Sequence, residues 1–335
     1  MCVKMSDARI SGFISRRSPL MRCLFVVGIM LVLVADPIAA DDTSYPRIDI
    51  ARITLAARQG DVRSMDQLGI LYERGRGVEN KDRNMAKYWL RKASEQNYAP
   101  SQYNLAIILL ADGSGDENSA PEAVKWLKKA AAAKHVMAIH KLGELYLEGR
   151  GVPKSSEEAY KYFLQNSQIG IPASLKWLVV LWQNGDGVDR RPEDAAKILE
   201  FLAKAGDPQS QVMMGNTYDA AVGVEKDDKK AIEWYLKAAE QGSSIAMNNL
   251  GVMMSPRLLN DNPNANVVKS FTWFNLAAGD NNEFAARQRE KLRKHMTQEQ
   301  VIQAERDSVD FIPKPNSWND FKPLPLEPEL RDLLR

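Results

Sequence analysis

Apolar positions along this chain are spaced as in helices rather than strands, and the helical pattern itself recurs. Leu68-Gly69 is followed, at steps of 37, 37, 36, 36 and 36 residues, by Leu105-Ala106, Leu142-Gly143, Leu178-Val179, Met214-Gly215 and Leu250-Gly251. A small residue precedes each anchor by four (Ser64, Ser101, Ala138, Ser174, Ser210, Ala246), and a bulky one follows by four (Tyr72, Leu109, Tyr146, Trp182, Tyr218, Met254). Spacing by four keeps all three on one helical face. A second signature closes each unit: Ala86-x-x-Trp89, Ala123-x-x-Trp126, Ala159-x-x-Tyr162, Ala195-x-x-Ile198, Ala231-x-x-Trp234 and Ser270-x-x-Trp273. Two amphipathic segments per unit predict six stacked helix–turn–helix repeats, at residues 61–97, 98–134, 135–170, 171–206, 207–242 and 243–281.

The stretch LYERGRGV, Leu71 to Val78, has the glycines of a phosphate loop but the wrong order, because a dinucleotide fingerprint runs from a strand into a helix. Here the apolar helical pattern comes first, and LYLEGRGV (Leu145 to Val152) and LWQNGDGV (Leu181 to Val188) repeat it. The glycines are expected to stop helices, where a left-handed residue closes the last turn. Residues 41–60 are expected to form an N-terminal capping helix and 282–312 C-terminal capping helices, with Thr297 as N-cap and Gln300 at the capping-box position. Beyond them, residues 313–335 form a Pro-rich tail whose Trp318, Phe321, Leu324 and Leu326 have no repeat neighbours. These side chains are expected either to fold back on the repeats or to dock a partner.

The leucine-glycine pair, the tyrosine, G-x-G-V and A-x-x-W resemble the Sel1-like repeats, a subclass of the tetratricopeptide-like solenoids, over roughly residues 49–312. The resemblance implies an all-α, right-handed α/α superhelix of about six helix–turn–helix repeats. Two turns depart from the family pattern: ADGSGDENSAP in unit two, and SPRLLNDNPNAN in unit six.

Charge and composition narrow the setting. Arg16, Arg17 and Arg22 precede the apolar run Leu24 to Ala35, which Asp36 and Pro37 break ahead of Ala39-Ala40. That layout predicts a secretory signal peptide over residues 1–40 and a periplasmic or secreted mature chain, since the run is shorter than the roughly 20 residues a spanning helix needs. Removing it takes away both cysteines, Cys2 and Cys23, and leaves 40 basic against 41 acidic side chains. Such a chain is held by packing alone and has no bulk attraction to nucleic acid or anionic lipid.

Catalytic constellations are sparse in the sequence. His135 and His140 are five apart, too divergent on a helix for a metal pair, and no G-x-S-x-G or Walker loop occurs. The expectation is no enzyme, no metal and no cofactor. Trp89, Trp126, Trp234 and Trp273 share one repeat position and are read as core; Trp318 stands outside the period. By the resemblance, positions two before and two after each anchor line a concave groove: Asp66 and Ile70, Tyr103 and Ile107, His140 and Glu144, Lys176 and Val180, Val212 and Asn216, Asn248 and Val252. This mixed lining suits a protein or peptide partner rather than a nucleic acid. The function expected is an exported, non-catalytic scaffold or adaptor in the assembly or regulation of a cell-envelope complex. The alternatives are a periplasmic cell-wall enzyme acting on peptidoglycan or a β-lactam, a glycan binder, or a secreted effector that meets a host protein.

Overall fold

Each repeat in a computed structural model is a pair of antiparallel helices, described over residues 49–111, 118–255, 266–279, 282–314 and 318–335. The signal-peptide segment and most of the departing turns of units two and six lie outside these residues. A short helix α1 (Ile50–Arg58) comes first. The units follow as α2 (Val62–Arg74) with α3 (Arg83–Glu95), α4 (Ala99–Ala111) with α5 (Ser119–Ala132), and α6 (Val136–Glu148) with α7 (Ser156–Ser167). Then come α8 (Pro172–Asn184) with α9 (Pro192–Lys204), α10 (Pro208–Ala220) with α11 (Asp228–Glu240), and α12 (Ser244–Met253) with α13 (Val267–Ala278). Helices α14 (Glu283–Arg293) and α15 (Gln298–Asp310) cover the last pair, and a short α16 (Pro328–Leu333) ends the chain. No strand occurs among the described residues, and the strong packing is between helices consecutive in sequence, except that α15 also packs on α13. This is an α-solenoid, in which a unit buries its faces only against its neighbours.

The glycine pairs have two separate duties. Gly149 (φ 73°) and Gly185 (φ 76°) are left-handed C-caps of α6 and α8, as the helix-stop reading expects. The second glycine lets the turn touch the preceding unit: a Cβ on Gly187 would lie 2.5 Å from the Glu157 nitrogen, and one on Gly223 would lie 2.1 Å from the Pro192 oxygen. In unit five the cap position holds Ala221, still at φ 55°.

The anchors Leu68, Leu105, Leu142, Leu178, Met214 and Leu250 are buried throughout. Beside them, the glycine of the pair is a socket. A Cβ on Gly69, Gly143, Gly215 or Gly251 would come within 2.5–2.7 Å of Leu90, Phe163, Tyr235 or Phe274 respectively. Those large residues, together with Leu127 and Leu199 at the same register, are the wholly buried core of the second helices. The tryptophan reading is corrected accordingly. Trp89 and Trp234 are buried, but Trp126 and Trp273 are only partly so. The position lies at the border of the apolar face, where a lysine three residues on covers the ring: Lys92 over Trp89 (5.6 Å), Lys129 over Trp126 (4.4 Å) and Lys237 over Trp234 (4.0 Å).

Candidate functional site

The first helices α2, α4, α6, α8, α10 and α12 carry the residues two before and two after each anchor, and the structure divides that set. Asp66, His140, Lys176 and Val212 are buried, whereas Ile70, Tyr103, Ile107, Glu144, Val180, Asn216, Asn248 and Val252 are half-buried. The expectation that all of them line an open groove is therefore corrected for the first four. In units one, three and four position minus two sits at the seam between successive first helices, where a polar side chain meets the next unit instead of solvent. Asp66 accepts from Ser101 Oγ at 2.7 Å and from Asn104 Nδ2 at 3.0 Å. His140 Nδ1 lies 3.0 Å from Ser174 Oγ. Asn216 Oδ1 accepts from Tyr235 at 2.6 Å and from Asn249 at 3.1 Å. Buried polar groups need such partners. Two of the small residues four before an anchor, Ser101 and Ser174, thus use a hydroxyl to bond the preceding unit.

Lys176 is the most demanding of these groups, since an ammonium removed from water must be paired. Its Nζ donates to Asp320 Oδ1 at 2.6 Å and to Gln209 Oε1 at 2.9 Å, with Asp207 Oδ2 at 3.5 Å. Asp320 belongs to the Pro-rich segment, which is seated on this face. Trp318 Nε1 donates to the same Asp320 oxygen at 2.8 Å, and Phe321 meets the His140 ring edge-on at 5.2 Å. His140 also contacts Phe163, whose other neighbour is a stacked Trp177 at 5.5 Å. The main chain joins in: Ala173 N donates to Asp320 O at 3.0 Å and Leu324 N to Gly170 O at 2.9 Å. Further on, Leu326, Leu330 and Leu334 are buried with α8 and α9 residues such as Trp182, Leu199 and Leu202. Trp318 and Phe321, expected as a docking strip or a fold-back, lie folded back.

Electrostatically the unoccupied part of the face is centred on α6. Burial by itself would raise the Glu144 carboxyl, but the hydrogen bond and charge of His140 at 3.5 Å, with the Lys141 ammonium at 2.8 Å, hold it down to about 2. Burial pushes Tyr103 up to about 12, helped by the Glu144 charge, and its ring stacks on His135 at 5.1 Å. His135 itself is the N-cap of α6, accepting from Ala138 N at 3.3 Å. Among the described residues no group of three or more His, Cys, Asp or Glu could hold a metal ion, and no helix is long and apolar enough to cross a membrane.

The sequence reading took Ser174 for a packing residue only and missed Gln209, Gly170, Ala173 and Asp320. A usable signal was present at Ile171, an apolar residue at the N-cap position that Asp61, His135, Asp207 and Ser243 occupy in other units.

A two-helix repeat stacked in this way, with a later segment of the chain seated on its first helices, defines the class of helix–turn–helix α-solenoids. The chain belongs to the Sel1 repeat family, whose model matches residues 62–98, 99–135, 136–165, 208–243 and 244–282. Proteins of this family generally mediate protein–protein interaction. A protective antigen of uropathogenic Escherichia coli with an SLR fold superposes with a TM-score of 0.63 at 25% identity, covering 78% of this chain and 56% of that one. A Sel1 repeat protein from Oxalobacter formigenes gives 0.56 at 28% identity, covering 68% and 90%. The chain is also 25% identical over 241 residues to the chitin synthase regulator SKT5 of Saccharomyces cerevisiae, covering 69% of this chain and 34% of that one. An uncharacterized protein of Neisseria meningitidis serogroup B is 27% identical over 196 residues, covering 58% and 32%. The chain thus spans about a third of the length of these curated relatives.

Proposed function

We infer that this chain is an exported, non-catalytic adaptor that holds a protein partner on its first-helix face, in the assembly or regulation of a cell-envelope complex. The observation that carries the reading is that this face already holds a non-helical stretch of polypeptide, residues 318–324, which turns at Asn319–Lys322 and is held through one part-buried ion pair, one ring contact and two main-chain hydrogen bonds. Main-chain hydrogen bonds give such a contact affinity and side-chain anchors give it selectivity. Export is supported by the Leu24–Ala35 run behind Arg16, Arg17 and Arg22. The part of the face left open, around Tyr103, Ile107 and Glu144, is where the partner is expected to land.

The test begins with crosslinking in the native envelope and mass spectrometry to identify the partner, followed by titration with the purified protein. Tyr103→Ala with Glu144→Lys should weaken binding at least roughly tenfold, the scale of one or two lost anchors. Lys87→Ala on α3 should leave it unchanged. Equal loss from both variants, or loss from neither, removes the assignment to this face.

A further inference from the structure

Unit four departs from units one, three, five and six at the start of its first helix. Helices α2, α6, α10 and α12 begin behind Asp61, His135, Asp207 and Ser243, each of which accepts from a first-turn amide. At α8 the residue is Ile171, with no side-chain cap, followed by Pro172. A helix start leaves amides without an internal acceptor, so Ala173 N needs an outside carbonyl. It takes that of Asp320 at 3.0 Å. Within one turn of the same helix lies Lys176, buried at 3% exposure, whose ammonium has the buried Asp207 Oδ2 at 3.5 Å and takes a closer carboxylate, that of Asp320, at 2.6 Å. Beside it, His140 presents a ring edge.

These groups recognise different parts of one ligand: a peptide carbonyl, a carboxylate and an aromatic ring. Asp320 and Phe321 supply all three in two consecutive residues. Gly170, at φ 78°, completes the seat. A Cβ there would lie 2.1 Å from the Leu324 oxygen, so glycine is what lets the Leu324 backbone run this close.

The segment is gripped in two different ways. Trp318, Asp320, Phe321 and Leu324 remain partly exposed, while Leu326, Leu330 and Leu334 are buried in the core of units three to five. The first stretch is a polar grip that water and a competitor can reach; the second is a hydrophobic clasp.

We propose that the start of α8, with His140 and Gly170, is a binding site for a protein segment that turns at an acidic residue followed by an aromatic one. Residues 318–324 are its occupant in cis, displaced by a partner of that chemistry while residues 326–334 stay clasped. This rests on the scaffold reading above and specifies the partner's recognition element. A short tether holds its occupant at an effective concentration near a millimolar, so if the segment's own affinity for the vacant site is about 10 μM, it opposes any partner roughly a hundredfold in the intact chain.

The probe is a fluorescein-labelled peptide of residues 318–327, titrated by anisotropy. Two proteins expose the site: a chain lacking residues 313–335, and a full-length chain with Asp320→Ala and Phe321→Ala, which keeps the leucine clasp and hence the fold. Both should bind saturably, and the unaltered full-length chain at least roughly tenfold more weakly, by the same effective-concentration argument. Lys176→Met in the double-substituted chain, or alanine for the aspartate of the peptide, should cost roughly another tenfold, as for an anchor residue. Absence of binding to the double-substituted chain with an intact helical signal overturns the proposal. So does equal binding of a scrambled peptide, or binding by the unaltered chain as tight as by the opened one. If the peptide fails while Tyr103→Ala with Glu144→Lys still weakens the partner, the scaffold reading stands and only the peptide site falls.

Discussion

At position 126 a tryptophan lies next to Leu127, and the two neighbours differ in what removing them costs. Leu127 is wholly buried against the units on either side, whereas Trp126 is half-covered by the Lys129 ammonium and ties its indole nitrogen to Glu122 at 3.2 Å. Leu127→Ala should lower the unfolding free energy by about 2–5 kcal/mol, and Trp126→Ala by only about 1–2 kcal/mol, both read from urea melts. The reverse order would restore the tryptophan to the core. Ala221 allows an opposite test, since it holds a left-handed C-cap at φ 55° without being glycine. Relief of the Cβ clash outweighs the extra chain entropy of glycine there, so Ala221→Gly should stabilise by about 0.5–1 kcal/mol, seen as a rise in Tm. Sequence spacing identifies the apolar face but not its centre, because residues i and i+1 differ by only about 100° and both can border it. That is why Trp126 and not Leu127 was legible as the repeat's large residue, although Gly69, Gly143, Gly215 and Gly251 mark the socket for its neighbour.

Among the elements, α6 and α8 carry the electrostatic load. Glu144 on α6 is held near 2, below its ordinary value of 4.5, so the folded state favours its ionised form. Its contribution is fully present above about pH 5 and is lost as pH falls towards 2, on the order of 2–3 kcal/mol. Glu144→Gln should flatten the stability profile across that window in acid-unfolding measurements; an unchanged slope would place the acid-sensitive group elsewhere. Helices and their order were readable from period and caps, down to the Thr297–Gln300 capping box of α15. The seams between helices were not. The partners Asp66–Ser101 and His140–Ser174 lie 35 and 34 residues apart, close to one repeat, and the pattern of one unit does not reveal what the next presents to it.

For the whole molecule, the leucine clasp changes how stability is distributed. A solenoid's stability is ordinarily a sum over units and nearest-neighbour interfaces. Here Gln168 reaches Leu334 O at 3.0 Å across 166 residues, and Asp320 reaches Lys176 across 144. Such contacts have no period, so the sequence could show that the segment was apolar and proline-bearing but not where it lands. Leu330→Ala should cost about 2–5 kcal/mol, the usual range for a buried leucine, while adding exchange at amides of α8 and α9 rather than of α2 and α3. Hydrogen exchange by mass spectrometry reads the difference. Uniform loss along all units would mean that the array already unfolds as one body.

The same segment also sets an order of events in time. Residues 318–334 follow every repeat in synthesis, and chains fold from the amino end as they emerge. Units one to six therefore pack while the seat at Ala173 and Lys176 is still empty. During that interval a neighbouring polypeptide has first access to it, before the chain's own Asp320 arrives.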